Sequence, residues 1–291
     1  MTSARAWVAG ARPRTLPAAV APVAVGTGVA AHEHNLLPGR ALLALLVALA
    51  LQVGVNYAND YSDGVRGTDS ARVGPVRLVG QGLASATAVR VAAMISFGLA
   101  ALAGLDLVLL TAAWWLIAVG IACIFAAWFY TGGRRPYGYA GFGEFFVFVF
   151  FGLVASMGTT FVQTGRFGAT SVLAATTVGL PIVAILVANN LRDIHGDTKG
   201  GKNTLAVRLG DGRTRTLYAL LVGSTFALTV VIAITGPRGA LVGLLASILA
   251  VNPLRVIRSG ALGRDLIPVL AGTGQLVLAF GLLLGIGIGL T

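Results

Sequence analysis

The sequence predicts an all-α protein that crosses a membrane several times, and three observations support this prediction. Hydrophobic residues make up 56% of the 291 positions and charged residues only 11%, whereas soluble domains carry about 25% charged residues. Apolar runs of about 20 residues, the length that spans a bilayer, recur along the whole chain. Forty glycines fit the same class, because small residues let helices approach closely in lipid. We expect residues 1–291 to form a single polytopic domain.

Nine apolar runs have the length of membrane spans. They cover residues 17–32, 41–60, 86–104, 107–128, 143–163, 170–190, 215–235, 238–257 and 267–290. The break between the third and fourth spans is predicted at Gly104 and Asp106. Because this turn is short, one longer element there is an alternative. The single cysteine, Cys123, falls inside the fourth run, and we expect it to be a packing residue.

Basic residues are concentrated on one side of this predicted topology. The N-terminus and the loops after the second, fourth, sixth and eighth spans hold eighteen of the 21 lysines and arginines, and only Arg40, Arg166 and Arg238 lie opposite. Since Lys and Arg are enriched in cytoplasmic loops, we expect the N-terminus and these loops to face the cytoplasm from the cell membrane. Eight of the ten acidic residues share that face, which marks it as a candidate site. The net charge of +11 therefore indicates loops and anionic lipid headgroups, not nucleic acid.

The first acidic motif, NYANDYSDGVRGTD, follows the second span at residues 56–69. On a helix, Asn56, Asp60 and Asp63 stand at i, i+4 and i+7 and therefore share one face. Asp69 comes after a loop with glycines at both ends. Hard oxygen ligands of this kind suit Mg²⁺, which keeps several waters and bridges to substrate phosphates. A solvated helix end with ordinary caps is the alternative for this motif taken alone.

The second acidic motif, NNLRDIHGDTKGGKNTL, follows the sixth span at residues 189–205. One helical face carries three oxygen ligands at i, i+4 and i+8, namely Asn189, Asp193 and Asp197. Lys199 and Lys202 come next, beside two glycines. Carboxylates that hold a metal and lysines that meet phosphate oxygens are the parts of a diphosphate site.

Together the two motifs resemble those of the UbiA superfamily of intramembrane aromatic prenyltransferases, and the resemblance covers nearly the whole chain from Arg12 onward. It implies a nine-helix bundle around a central cavity, in which the acidic motifs bind Mg²⁺ and a prenyl diphosphate. Four further segments are similar to the branch that acts on 1,4-dihydroxy-2-naphthoate in menaquinone biosynthesis. They are ARPRTLP (11–17), GPVRLVGQG (74–82), YTGGRRPYGYAGFGEFFVFVFFG (130–152) and GKNTLAVRLG (201–210).

The resemblance implies a reaction and roles for individual residues. A polyprenyl diphosphate would prenylate 1,4-dihydroxy-2-naphthoate, giving demethylmenaquinol, diphosphate and CO₂. The expected magnesium ligands are Asp60, Asp63, Asp69, Asp193 and Asp197, of which Asp69 stands later than the family spacing. The expected substrate-binding residues are Asn56, Arg72, Arg77, Arg134, Asn189, Lys199 and Lys202. Tyr130 is a candidate wall for the developing carbocation, because an aromatic face attracts positive charge.

Glu144 is the isolated acid of the 130–152 segment, at the start of an apolar run. A carboxylate there is costly unless it is paired or neutral. One interpretation is a structural ion pair with Arg134 or Arg135, its nearest basic residues in sequence. The other is a catalytic role, in which Glu144 orients or deprotonates the aromatic acceptor.

Two other functions stay open at this stage. A related prenyltransferase could use another acceptor, such as 4-hydroxybenzoate, homogentisate or a non-aromatic molecule. A secondary transporter is the alternative from a different class, since carboxylates within membrane segments commonly mark ion pathways. Against a transporter, both motifs lie at the predicted cytoplasmic ends of their spans, and the middles of the nine spans lack charge.

Overall fold

A computed structural model describes residues 2–67 and 76–291, so the predicted site residues Asp69 and Arg72 lie outside the described residues. Within these two ranges the chain is largely helical and has no strand. The α-helices are α1 (Ala4–Ala11), α2 (Pro17–His32), α3 (Pro38–Val65), α4 (Ala86–Thr111), α5 (Trp115–Phe129), α6 (Gly143–Val147), α7 (Ala155–Thr164), α8 (Ala169–Lys199), α9 (Leu205–Leu209), α10 (Asp211–Thr235), α11 (Ser247–Arg258) and α12 (Ile267–Gly289). A π-helical segment, Phe148–Val154, joins α6 to α7, and 3₁₀ turns occur at Pro13–Thr15, Tyr137–Ala140, Arg238–Ala246 and Gly263–Leu266.

The molecule is a multi-pass membrane protein. Seven helical stretches of the described chain are long and apolar enough to cross a bilayer, and there are eight if the bent pair Ala4–Thr15 and Pro17–His32 counts as one span. The chain bends by 50° between the two halves of that pair. Helix α5 has only 15 residues, which is about 22 Å, less than the ~30 Å hydrocarbon core. The all-helical membrane fold is confirmed, but the predicted count of nine spans is not.

The predicted turn at Gly104 and Asp106 is wrong, because α4 continues through both residues to Thr111. A single glycine costs a helix only about 1 kcal/mol and does not end it. The break lies at Ala112, whose φ of 53° is left-handed. There the guanidinium of Arg40 on α3 donates a hydrogen bond to the carbonyl of Leu110 at 2.7 Å. This side chain from a neighbouring helix satisfies one of the unpaired carbonyls at the end of α4.

Glycines set how closely the central helices pack. A Cβ atom on Gly28 of α2 would overlap the backbone of Gly285 on α12, and one on Gly26 would overlap the carbonyl of Ser156 on α7. Close backbone contact of this kind is typical of helices in lipid, where small residues form the interfaces. Helix α8 is the most buried of the long helices and runs through the largest apolar cluster. Helix α8, which carries the second acidic motif at its end, therefore runs through the packed interior of the bundle.

Candidate active site

A cavity of about 730 Å³ lies between the helices and combines a polar end with an apolar one. Its polar and charged wall consists of Arg12, Arg14, Thr15, Gln52, Asn56, Asn59, Asp63, Arg77, Tyr130, Thr131, Tyr137, Tyr139, Asn189, Asn190, Arg192, Asp197, Lys202 and Thr204. Along α8 the wall extends from Asp197 to Ile182, a distance of about 22 Å at 1.5 Å per residue. Such a cavity suits a ligand with a charged head and a long apolar tail.

The apolar part of the cavity, which we call the shaft, is built from aliphatic and aromatic side chains. It includes Ala48 and Leu51 of α3, Ala155 of α7 and Ile182 of α8. The π-helical segment contributes Phe150 and Phe151, and such wide helical turns occur frequently at functional sites. Cys123, expected from sequence to be a packing residue, also lines the shaft.

In the first motif, Asp60 on α3 binds the backbone at residues 78 and 79. It is fully buried, and its two carboxylate oxygens accept hydrogen bonds from the backbone N–H groups of Leu78, at 2.7 Å, and Val79, at 3.0 Å. Asp60 stands behind the cavity wall, while Asp63 is part of that wall. A metal at Asp60 would therefore share or replace two backbone donors.

Asp63 is held from two sides. The guanidinium of Arg77 lies 3.2 Å from its Oδ2, and the hydroxyl of Tyr139 donates a hydrogen bond to its Oδ1. Asn56 serves a different purpose. Its amide donates to the carbonyl of Ala11 at 2.8 Å and to the hydroxyl of Thr15 at 2.9 Å, which ties the N-terminal segment to α3.

In the second motif, the carboxylates have partners within a few residues. Both oxygens of Asp193 accept hydrogen bonds from the adjacent Arg192, at 2.8 and 2.7 Å, and the same guanidinium donates to Asn189 at 2.9 Å. Asp197 faces the cavity, with the ammonium of Lys202 3.9 Å away. Lys199 is exposed and does not line the cavity.

The ion pair of Glu144 with Arg134 or Arg135, which was one of the two interpretations from the sequence, is not formed. Glu144 is only 7% exposed, and its Oε1 accepts a hydrogen bond from the amide of Asn190 at 2.8 Å. Both arginines are exposed, and neither is part of the cavity wall. The sequence distance was misleading, because the 3₁₀ turn Tyr137–Ala140 separates the arginines from the start of α6.

Several wall residues were missed by the sequence analysis. Tyr139 lies in the 130–152 segment and Asn190 in the second acidic motif, but no spacing distinguishes either residue from its neighbours. Asn59, next to Asp60, accepts a hydrogen bond from the hydroxyl of Thr131 at 2.7 Å and so links α3 to the end of α5. The sequence signal that could have found them is their position in motifs that are already rich in polar residues.

The donor set fits magnesium bound together with a phosphate ligand. In residues 2–67 and 76–291, no group of three or more His, Cys, Asp or Glu side chains forms a ready metal cage. Mg²⁺ is commonly held by one or two carboxylates plus substrate phosphates, not by an all-protein cage. Asp63 and Asp197, which face the cavity from the two motifs, match that requirement.

Comparison with known proteins gives related sequences and related folds. The model of the UbiA prenyltransferase family matches residues 19–265. The chain is 56% identical over 282 residues to a 1,4-dihydroxy-2-naphthoate octaprenyltransferase of Mycobacterium tuberculosis, covering 97% of this chain and 96% of the relative. It is 42% identical over 232 residues to the protein of the same description from Escherichia coli, covering 77% and 75%.

A solved UbiA homologue from Archaeoglobus fulgidus, described as bound to GPP and Mg²⁺, has a similar fold. Its TM-score is 0.69, with 14% identity, and the match covers 96% of this chain and 99% of that one. At this level of identity the likeness concerns the fold alone.

Proposed function

Because this chain belongs to the UbiA prenyltransferase family, we propose that it transfers a polyprenyl group from polyprenyl diphosphate to 1,4-dihydroxy-2-naphthoate, releasing diphosphate and CO₂ and giving demethylmenaquinol. The descriptions of the M. tuberculosis and E. coli relatives support this choice of acceptor. The observation that carries the proposal is the cavity, which extends about 22 Å along α8 and joins carboxylates from both motifs, with the cations Arg77 and Lys202, to an apolar shaft.

The polar end of the cavity binds the diphosphate. Asp63 and Asp197 are the cavity-facing carboxylates that would hold Mg²⁺, with Asp60 and Asp193 behind them. When bound, Mg²⁺ neutralises charge on the diphosphate as it leaves. Lys202 adds a charge-assisted contact to the phosphate oxygens. These groups favour cleavage of the bond between the allylic carbon and the diphosphate oxygen, because they stabilise the negative charge that develops there.

The acceptor meets the allylic carbon next to this site. The ring of the naphthoate forms the new carbon–carbon bond, the diphosphate leaves with the electron pair of the broken bond, and loss of CO₂ restores aromaticity. Tyr130 and Asn190 line the same cavity. The tyrosine ring stabilises positive charge on the allylic group. Burial behind the helices excludes water, which would otherwise capture the same carbon.

We place the protein in the cell membrane with the polar end of the cavity towards the cytoplasm. The distribution of basic residues supports this orientation, with eighteen on the side of the acidic motifs and three opposite. A label at position 195, within the second motif, would react from the cytoplasmic side, and one at position 166 from the other. Finding both on one side would contradict the orientation.

Donor and acceptor profiling with the purified protein tests the function. With Mg²⁺, a polyprenyl diphosphate and 1,4-dihydroxy-2-naphthoate, we expect diphosphate and CO₂ in equal amounts. Prenylation of 4-hydroxybenzoate at a comparable rate would point to another branch of the family. Absence of diphosphate release with every acceptor would contradict the prenyltransferase assignment and favour transport.

Cys123 supplies an independent test of the donor position. It is the only cysteine in the chain and lines the shaft, so a maleimide should modify it at a measurable rate. We expect polyprenyl diphosphate with Mg²⁺ to slow this reaction, and Cys123→Ser to abolish it. An unchanged rate at saturating donor would contradict placement of the prenyl chain in the shaft.

A further inference from the structure

Tyr139 touches both acidic motifs, although it belongs to neither. It lies in the 3₁₀ turn Tyr137–Ala140, between α5 and α6, and its side chain is part of the cavity wall. Its hydroxyl donates to Oδ1 of Asp63, the cavity-facing carboxylate of the first motif. With Arg77 on Oδ2, the carboxylate of Asp63 is held at both oxygens and cannot rotate without losing a partner.

The same residue also supports the second motif. The ammonium of Lys202 lies 4.3 Å from the centre of the Tyr139 ring. The backbone carbonyl of Tyr139 accepts a hydrogen bond from the N–H of Asn203 at 2.8 Å. Lys202 in turn lies 3.9 Å from Asp197. One tyrosine thus connects a carboxylate of α3 with the lysine loop that follows α8.

The chemistry of these contacts leaves the charges of the site unchanged. A phenol hydroxyl is a neutral donor, so it orients the carboxylate of Asp63 without cancelling its charge. An aromatic ring attracts an ammonium group without an opposing ionic charge. A basic residue in this place would neutralise Asp63, and an acidic one would compete for Lys202. Tyrosine supplies both contacts without adding a charge of its own to the site.

The turn that carries Tyr139 is itself held in place by two further hydrogen bonds. The hydroxyl of Tyr137 donates to the carbonyl of Ala126 at 2.7 Å, and burial raises the pKa of this phenol, so it remains protonated. The guanidinium of Arg208 donates to the carbonyl of Ala140 at 2.7 Å. A side chain held by such surroundings can fix its partners within the tolerance that a binding site needs.

We propose that Tyr139 is a positioning residue, which sets the separation of Asp63 and Lys202 so that one metal-bound diphosphate can meet both. The proposal rests on the proposed function, since it concerns the prenyl donor. It assigns the hydroxyl to the first motif and the ring to the second, and these two contributions can be separated by substitution.

Tyr139→Phe and Tyr139→Leu make that separation. Tyr139→Phe keeps the ring and loses the hydroxyl. We expect it to raise the donor KM and the Mg²⁺ concentration for half-maximal rate about tenfold, with the acceptor KM within twofold of wild type. Tenfold corresponds to about 1.4 kcal/mol, close to the lower end of the range of about 1.5–3 kcal/mol for one hydrogen bond to a charged group. Tyr139→Leu loses both contacts and should cost about tenfold more in kcat/KM for the donor.

Tyr218→Phe is the matched control. It also removes one buried tyrosine hydroxyl, which pairs with Thr273 at 2.7 Å between α10 and α12, away from the cavity wall. We expect its donor and acceptor KM values to stay at wild-type level, whatever its melting temperature does. A rise of the donor KM in this variant equal to that of Tyr139→Phe would overturn the proposal, because the effect would then follow from any buried hydroxyl.

Binding without turnover separates this proposal from the proposed function. Inorganic diphosphate with Mg²⁺ should raise the melting temperature of the wild-type protein, and Tyr139→Phe should need about tenfold more diphosphate for the same shift. If the wild type shows neither stabilisation nor diphosphate release, the proposed function fails. If the wild type shows both and Tyr139→Phe matches it in donor KM and stabilisation, or changes only the acceptor KM, the role of Tyr139 is wrong and the function stands.

Discussion

The two acidic motifs share an Asn followed four residues later by an Asp, but they differ in where the partners of their carboxylates come from. Asp60 and Asp63 of the first motif are held by groups 14 to 76 residues away in the chain. Asp193 is held by its neighbour Arg192, and Asp197 faces Lys202, five residues on. Within residues 2–67 and 76–291, the carboxylates of the first motif are thus held by distant parts of the chain, whereas the second motif also draws on partners in its own segment. Loss of a carboxylate should disturb the fold at the first motif more than at the second.

The largest effect is expected where both motifs face the cavity. Asp63→Asn and Asp197→Asn should each lower turnover at least ~10²-fold, because each removes charge that would hold Mg²⁺ on the leaving diphosphate. EDTA should abolish wild-type activity, and Mg²⁺ should restore it. Near-wild-type turnover in both variants, measured as diphosphate release at saturating substrates, would rule out the shared diphosphate site.

Lys202→Ala should have the next largest effect, on the donor alone. Lys202 is the cavity-facing cation of the second motif, and a charge-assisted contact to phosphate is worth about 1.5–3 kcal/mol. That corresponds to about 10- to 150-fold in kcat/KM for the donor. Lys199→Ala is the matched control, because Lys199 is exposed and does not line the cavity. A loss equal in both variants would mean that general positive charge matters, not the position of Lys202.

Stability separates the motifs most directly. Asp60→Asn replaces a fully buried acceptor of two backbone N–H groups by an amide that can accept at only one end. Leaving a buried donor unsatisfied costs about 1–3 kcal/mol. Asp197→Asn makes the same chemical change at a carboxylate that faces the cavity, with the ammonium of Lys202 3.9 Å away, and we expect a smaller loss of stability. Thermal unfolding of both variants in detergent checks the difference, and equal melting temperatures would contradict the comparison.

Sequence reasoning succeeded where the relevant distances are local. The i, i+4 and i+7 spacing put Asp60 and Asp63 near one another at the end of α3, as a helix requires. It could not show that Asp60 faces a backbone loop and Asp63 the cavity, because Leu78 and Tyr139 reach them through tertiary packing. The end of α4 was misplaced for the same reason, since Arg40 of another helix contributes to it.

Glu144 extends the comparison to an acid outside both motifs, and its substitution should have the smallest effect. It lies beside the second motif yet takes its partner from 46 residues away, the amide of Asn190, which faces the cavity. Glu144→Gln keeps an oxygen that can accept this hydrogen bond, so Asn190 should stay in place in most molecules. Glu144→Leu removes the acceptor and lets the Asn190 amide turn. A typical hydrogen bond contributes about 0.5–1.5 kcal/mol, which corresponds to a change of about two- to tenfold in a binding constant. We therefore expect the acceptor KM to rise by that factor in Glu144→Leu and by less in Glu144→Gln, with the donor KM unchanged in both.

Steady-state kinetics with each substrate varied in turn measure the two KM values. A large loss of turnover in Glu144→Gln at saturating substrates would instead assign the carboxylate a proton-transfer role, whereas a lower melting temperature with unchanged kinetics would make Glu144 purely structural.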